Sequence, residues 1–264
     1  MIAIEGQMPK LETWVVAHDL HYPEVSWETW EAMMEFIKDV KPAGFIFGGD
    51  QFDNQEISHH TKGKPIYRER ASYSRNTAGF AREILGPLER SLGKSERVWI
   101  VGNHDDWEWQ FIEEHPELEG VIERTESLGL KERGWKIVPL GHSYRLGQLN
   151  VIHGEILTGI GNQAGIYPSR KAVEIYAGNV LAGHTHAPQS FSKISPVEMK
   201  KKFMGWIAPI CGSVNPSYLR DRPTAWMQGF TVVELRDKGL FNLFPVIVLD
   251  GKFSYGGKLY EAAR

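Results

Sequence analysis

Asp19 and His21 stand two residues apart, as do His184 and His186, and on an extended backbone that spacing turns both side chains of a pair to one side. Donors delivered in this way suit two ligands on one metal ion, or one ligand each on adjacent ions. Asp50, Asn103 and His153 add oxygen and nitrogen donors from separate points of the chain. Together these are more ligands than a closed tetrahedral site takes, and they fit a pair of five- or six-coordinate ions about 3.5–4 Å apart that share one carboxylate. The sequence holds 10 histidines and 1 cysteine, Cys211, so a multi-cysteine site and an intrachain disulfide are both excluded. A nitrogen-rich shell without thiolate suits Mn, Fe or Zn better than Ca.

Each donor group follows a short apolar run. Residues 13–17 lead into His18-Asp19-Leu20-His21, residues 43–47 into Gly48-Gly49-Asp50, and residues 97–101 into Gly102-Asn103-His104-Asp105. Residues 149–152 lead into His153-Gly154, and residues 179–182 into Gly183-His184-Thr185-His186. Continuous rather than alternating apolar character predicts strands buried on both faces. Open α/β sheets bind ligands outside the carboxyl ends of their strands, so five strand ends converge on one edge. Between the strands lie helical patterns. Ser26 is an N-cap for residues 27–40, where Trp30, Met33, Met34 and Ile37 recur at helical spacing and Pro42 marks the stop. Residues 71–92 and 107–115 are further helices, and Pro168 opens one that runs to residue 176. The alternation predicts a layered α/β fold. Residues 206–211, 229–235 and 243–249 read as antiparallel strands, with a hairpin at Asp237-Lys238-Gly239, so that 203–250 completes the sheets. With no repeat and no linker, residues 1–264 are expected to form one domain whose chemistry spans 19–186.

The ordered series Asp-x-His, Gly-Asp, Gly-Asn-His-Asp, His and Gly-His-Thr-His, from Asp19 to His186, resembles the calcineurin-like metallophosphoesterase superfamily. The resemblance implies a four-layer α/β/β/α sandwich of two mixed sheets flanked by helices, with a dinuclear site at one edge. It also implies that Asp19, His21 and His186 hold one ion, that Asn103, His153 and His184 hold the other, and that Asp50 bridges them. A hydroxide between the ions would attack phosphorus in line. His104 matches the family's general acid, and Asp105 would orient its ring.

The form of the motifs narrows the branch. Protein phosphatases of the family read Gly-Asp-x-Val-Asp-Arg-Gly and Asn-His-Glu, whereas here Gly49-Asp50-Gln51-Phe52-Asp53-Asn54 and Asn103-His104-Asp105 stand, without the arginine. Lipid-A-pathway pyrophosphatases carry arginine where His104 stands. The residues present are more similar to phosphodiesterase and nuclease branches, and the stretches 216–218 and 226–230 to small phage-type and bacterial phosphoesterases. The locally basic stretch 59–70 is either a solvated loop or a phosphate clamp carried by Arg68 and Arg70. Trp107 either packs its helix or stacks a base. His18 points to the opposite face from Asp19 and reads as packing, and Cys211 as a small buried hydrophobe. The glycine run 159–165 lacks the spacing of a dinucleotide fingerprint, and the lysine run 200–202 reads as surface.

A net charge of −3 excludes nucleic-acid binding by bulk positive charge, and 42% hydrophobic with 24% charged residues excludes a disordered chain. No apolar run approaches the roughly 18 residues of a membrane span, and no secretory signal is visible, so a cytoplasmic location without a membrane or obligate protein partner is expected. The expected function is a dinuclear metal-dependent phosphoesterase leaning to phosphodiesters, with nucleotides or nucleic acid among the candidate substrates. The alternatives are a phosphomonoesterase and a metal-binding scaffold that hydrolyses nothing.

Overall fold

The computed structural model describes residues 11–63, 72–158, 167–198 and 201–263. Among these, β1 (Glu12–Ala17), β2 (Gly44–Phe47), β3 (Glu96–Ile100) and β4 (Trp135–Val138) run parallel, and β10 (Gly229–Leu235) and β11 (Phe241–Ile247) extend the sheet antiparallel beyond β1. The order of this six-stranded sheet is β11-β10-β1-β2-β3-β4. A second, five-stranded sheet has the order β5-β6-β7-β9-β8, formed by β5 (Tyr144–Leu146), β6 (Leu149–Ile152), β7 (Asn179–Ala182), β8 (Gln189–Ile194) and β9 (Lys202–Ile207). Its three inner strands are parallel and its two edges antiparallel, so both sheets are mixed.

The continuous apolar runs have a direct cause in how the layers stack. Trp14 and Val16 of β1, Ile46 of β2, and Val98 and Ile100 of β3 pack against Leu149 and Val151 of β6 and Leu181 of β7 in one cluster between the sheets. The alternate residues Val15, Ala17, Phe45, Phe47 and Trp99 face the other way, into a second cluster with Trp30, Met33, Phe36 and Ile37 of α1 (Trp27–Val40). On the far side of the second sheet, Ile152, Val180, Ala182 and Ile207 pack on Ala172 and Tyr176 of α6 (Pro168–Tyr176). Full burial of each such Val, Leu, Ile or Phe stabilises by about 1.5–3 kcal/mol. Four layers result, helix, sheet, sheet and helix, as the resemblance implies.

The Ser26 side chain accepts from the Thr29 N–H and caps α1, which ends at left-handed Lys41 before Pro42. The second helical region comprises α2 (Tyr73–Phe80), a π-helical turn at Ala81–Leu85, and α3 (Gly86–Leu92). The turn is followed by Gly86 and then Pro87, which has no N–H to continue the regular ladder. Two short helices, α4 (Trp107–Glu114) and α5 (Arg124–Ser127), follow β3. A terminal hairpin of β12 (Lys252–Tyr255) and β13 (Lys258–Glu261) lays Phe253 and Tyr260 against Phe36 of α1. No helix among the described residues is long and apolar enough to cross a membrane.

Candidate metal centre

Strands β1, β2 and β3 of one sheet and β6 and β7 of the other all present their carboxyl ends at the same edge, because each set is parallel and the sheets stack face to face. His18, just past β1, secures the two sheets behind that edge. Its buried ring donates from Nε2 to the Ile152 carbonyl at 3.1 Å. Gly183 has no side chain because a Cβ there would come within 2.5 Å of Asp19 Oδ2 and 2.6 Å of the His18 ring.

Three overlapping groups of donor atoms form at this edge: Asp19, His21 and His186; His21, Asp50 and His104; and Asp50, His153 and His184, the ligand atoms of each group lying within 4.8 Å of one another. In the first, His186 Nε2 is 3.4 Å from Asp19 Oδ1 and 3.4 Å from His21 Nε2. In the last, His153 Nε2 is 3.3 Å from Asp50 Oδ2, 3.2 Å from His184 Nδ1 and 2.9 Å from Asn103 Oδ1. The structure thus brings all seven ligand candidates together and puts Asp50 between the two triads. His104 also approaches Asp50, with Nε2 3.9 Å from Oδ2.

The donor set fits divalent cations. Imidazole nitrogens that face each other at 3.2–3.4 Å converge with carboxylate oxygens, and Asp19 Oδ1, although buried, makes no hydrogen bond. Burial opposes ionisation of Asp19, Asp50 and Asp53. All three are nonetheless held below the usual carboxylate range by neighbouring imidazoles: His186 for Asp19, His153 for Asp50, and His104 for Asp53. Three buried carboxylates this close demand compensating positive charge.

Backbone torsions are unusual at the same places. Asp19, His21, Asp50, His184 and His186 all have positive φ, between 52° and 66°. The chain turns sharply as it leaves each strand, and backbone groups brace the ligands: the His184 N–H donates to Asp19 Oδ2 at 2.9 Å and the His104 N–H to Asp50 Oδ1 at 2.8 Å.

The carboxylate at the His104 ring is Asp53, where the sequence pointed to Asp105. Asp53 Oδ1 lies 3.3 Å from His104 Nδ1, and the same nitrogen lies 3.1 Å from the Asp53 carbonyl oxygen. Burial would push the His104 ring down, but the carboxylates of Asp50 and Asp53 outweigh it and raise the ring to about 9. Asp105 turns back to accept from the Gly102 N–H at 2.9 Å and from the Phe52 N–H at 3.2 Å, which ties two motif loops together. Its own carboxyl is pushed up to about 6 by burial and by the charge of Asp50.

Two further aromatic residues border the centre. Trp107 stacks its indole on the His104 ring, with centroids 4.0 Å apart and planes at 28°. Trp226 meets the His186 ring edge-on at 4.4 Å. Tyr218 lies close enough to Asp53, Asp50 and Asp19 that its hydroxyl, already raised by burial, is raised further by their charge. Asp53 stands in the Gly-Asp-x-Phe-Asp motif and Tyr218 in the stretch 216–218, but only loop geometry brings either to the site. Cys211 is fully buried and its thiol is pushed up to about 12, as expected of a packing residue. Arg68, Arg70, the start of the helix expected from residue 71, the glycine run 159–165 and Lys200 lie outside the described residues.

No protein-family model matches this sequence, and no curated protein matches it either. Solved structures similar to the chain include Vps29 from Entamoeba histolytica complexed with Zn²⁺, 11% identical over 95% of this chain and 99% of that chain, with a TM-score of 0.45. A conserved uncharacterized protein of Streptococcus pneumoniae, described as a predicted phosphoesterase, is 12% identical over 98% of this chain and 100% of that one, at a TM-score of 0.35. The nuclease MPE of Pseudomonas putida is 14% identical over 83% of each chain, at 0.37. In layer order and in the series from Asp19 to His186, the chain resembles the calcineurin-like metallophosphoesterases.

Proposed function

We propose that the chain is a divalent-metal-dependent phosphoesterase that acts on phosphodiesters. The observation that carries this reading is the run of three overlapping donor groups, two of which share buried Asp50. Asp19, His21 and His186 would hold one ion, Asn103, His153 and His184 the other, and Asp50 would contact both. Bound ions supply Lewis acidity at the phosphoryl oxygens and allow a water nucleophile to ionise near neutral pH.

The chain's own residues account for the remaining steps. Asp53 holds the Nδ1 side of His104, so that Nε2 faces the Asp50 side of the centre. His104, held at Nδ1 by Asp53, would give a proton to the leaving oxygen as the P–O bond breaks. Asp105 and Asn54 fix the loop that carries His104, with Asn54 Nδ2 donating to the His104 carbonyl at 2.8 Å. The lean towards diesters comes from the Gly-Asp-x-Phe-Asp and Asn-His-Asp forms of the motifs.

The test is hydrolysis of bis-p-nitrophenyl phosphate with added Mn²⁺, comparing the natural chain with Asp50→Asn. The natural chain is expected to turn the ester over and the variant to lose most of that activity. Equal rates would refute the proposal.

A further inference from the structure

Beside His104, aromatic rings gather around a neighbouring cleft. Trp107, at the start of α4, stacks on His104. Its indole also meets the His60 ring at 5.4 Å and the His59 ring at 6.3 Å, and those two imidazoles lie 3.8 Å apart. One helical turn on from Trp107 comes Phe111, and one more brings His115, whose ring lies 4.6 Å from that of Phe111. Trp107, Phe111 and His115 line one wall of an open cleft, opposite Ser58, His59 and Lys62.

The position of this cleft decides what would use it. A general acid stands on the side from which the leaving group departs, so the surface beyond His104 meets the leaving group and not the phosphoryl oxygens. That surface offers ring faces on its walls and polar groups at its rim, including the Lys62 ammonium, paired with Glu114 at 3.2 Å. A planar heteroaromatic ring has the matching form, a π-face for stacking and a polar edge for the rim.

We propose that the cleft between residues 57–62 and α4 is a nucleobase subsite for the leaving-group side of a nucleotide phosphodiester, with Trp107, Phe111 and His59 as its stacking faces. The proposal rests on the phosphoesterase reading for its orientation. Lys62 and the imidazoles of His59 and His115 place cationic or hydrogen-bonding groups around the base and its sugar-phosphate.

Equilibrium dialysis on the Mn²⁺-loaded full chain tests the proposal, with adenosine 5′-monophosphate and ribose 5-phosphate as the paired probes. Stacking of one base is worth about 1–3 kcal/mol, so the nucleotide is expected to bind about tenfold tighter, ~1.4 kcal/mol. Phe111→Ala and His59→Ala should each cut that ratio at least about threefold, with the ribose 5-phosphate constant of each variant as its internal reference. Trp107 is left in place because it also packs His104. Equal binding of the two probes to the natural chain overturns the proposal, as does a ratio that survives in both variants. Dialysis reads binding without turnover. A chain inert towards bis-p-nitrophenyl phosphate therefore fails the phosphoesterase reading, while the probe ratio still decides the cleft.

Discussion

Arg124 is a group whose removal should cost this fold heavily. Its guanidinium is 2% exposed and lies between the rings of Phe52 and Tyr73, 4.0 and 4.2 Å from their centroids. It pairs with Glu56 and, at 3.4 Å, with Glu108, and donates to Thr77 Oγ1 at 3.1 Å. These partners come from the loop after β2, from α2 and from the first turn of α4, so one side chain joins the elements that present Asp50 and His104. Replacing Arg124 with Met preserves much of the apolar stem but leaves buried Glu56 and half-buried Glu108 without their cation. Breaking a buried pair in this way costs about 3–5 kcal/mol, and each lost ring contact adds about 0.5–2 kcal/mol at most. Against a total stability of roughly 5–15 kcal/mol, Arg124→Met should lower the urea midpoint severely. The deficit should also depend on pH. Burial already raises the Glu108 carboxyl to about 7, from 4.5, with Arg124 opposing the rise. A carboxyl raised on folding retains protons that the unfolded chain releases, so stability falls as pH climbs through that window. Without Arg124 the window extends upward, and the variant should lose more stability at pH 8 than at pH 6. Adding Glu56→Gln and Glu108→Gln to Arg124→Met should recover part of the loss. Urea unfolding of these variants at both pH values is the assay. A single-variant loss under about 1 kcal/mol, or a deficit equal at both pH values, would refute the reasoning.

His104→Ala should slow hydrolysis of alkyl phosphodiesters more than that of nitrophenyl esters, whose leaving group needs no proton; steady-state rates on the two ester classes would show the opposite ranking if His104 were not the acid. Added Mn²⁺ or Zn²⁺ should raise the thermal midpoint and chelator should reverse the shift, since an ion at about a hundred times its dissociation constant stabilises the native state by about 2.7 kcal/mol. The shift should shrink in Asp50→Asn, read by scanning calorimetry, because that side chain takes part in two of the three donor groups.

The strand ends were legible because two-faced burial writes itself as an unbroken apolar run and because parallel strands bring their carboxyl ends to one edge. The same logic hides strands that are buried less completely. Gln189–Ile194 is a sheet edge with three serine or lysine side chains, and Trp135–Val138 is short and carries an exposed Lys136. The β12–β13 hairpin turns at Gly256-Gly257, a turn signal whose flanking segments are too polar to read as strands. Within the site, the ligand candidates could be listed from type and spacing. The partner of His104 could not. The motif pattern points to Asp105, and only the path of the chain after Asp50 puts Asp53 against the ring.

The left-handed torsions at Asp19, His21, Asp50, His184 and His186 set chemistry against heat tolerance. An L-residue in that region pays about 1–2 kcal/mol that glycine does not. The five ligands are thus held where the polypeptide would gain by giving them up. If the chain were evolved for thermal endurance alone, without metal and with no demand for turnover, glycine should accumulate first at these five positions. The survivors would be hardier proteins that bind nothing.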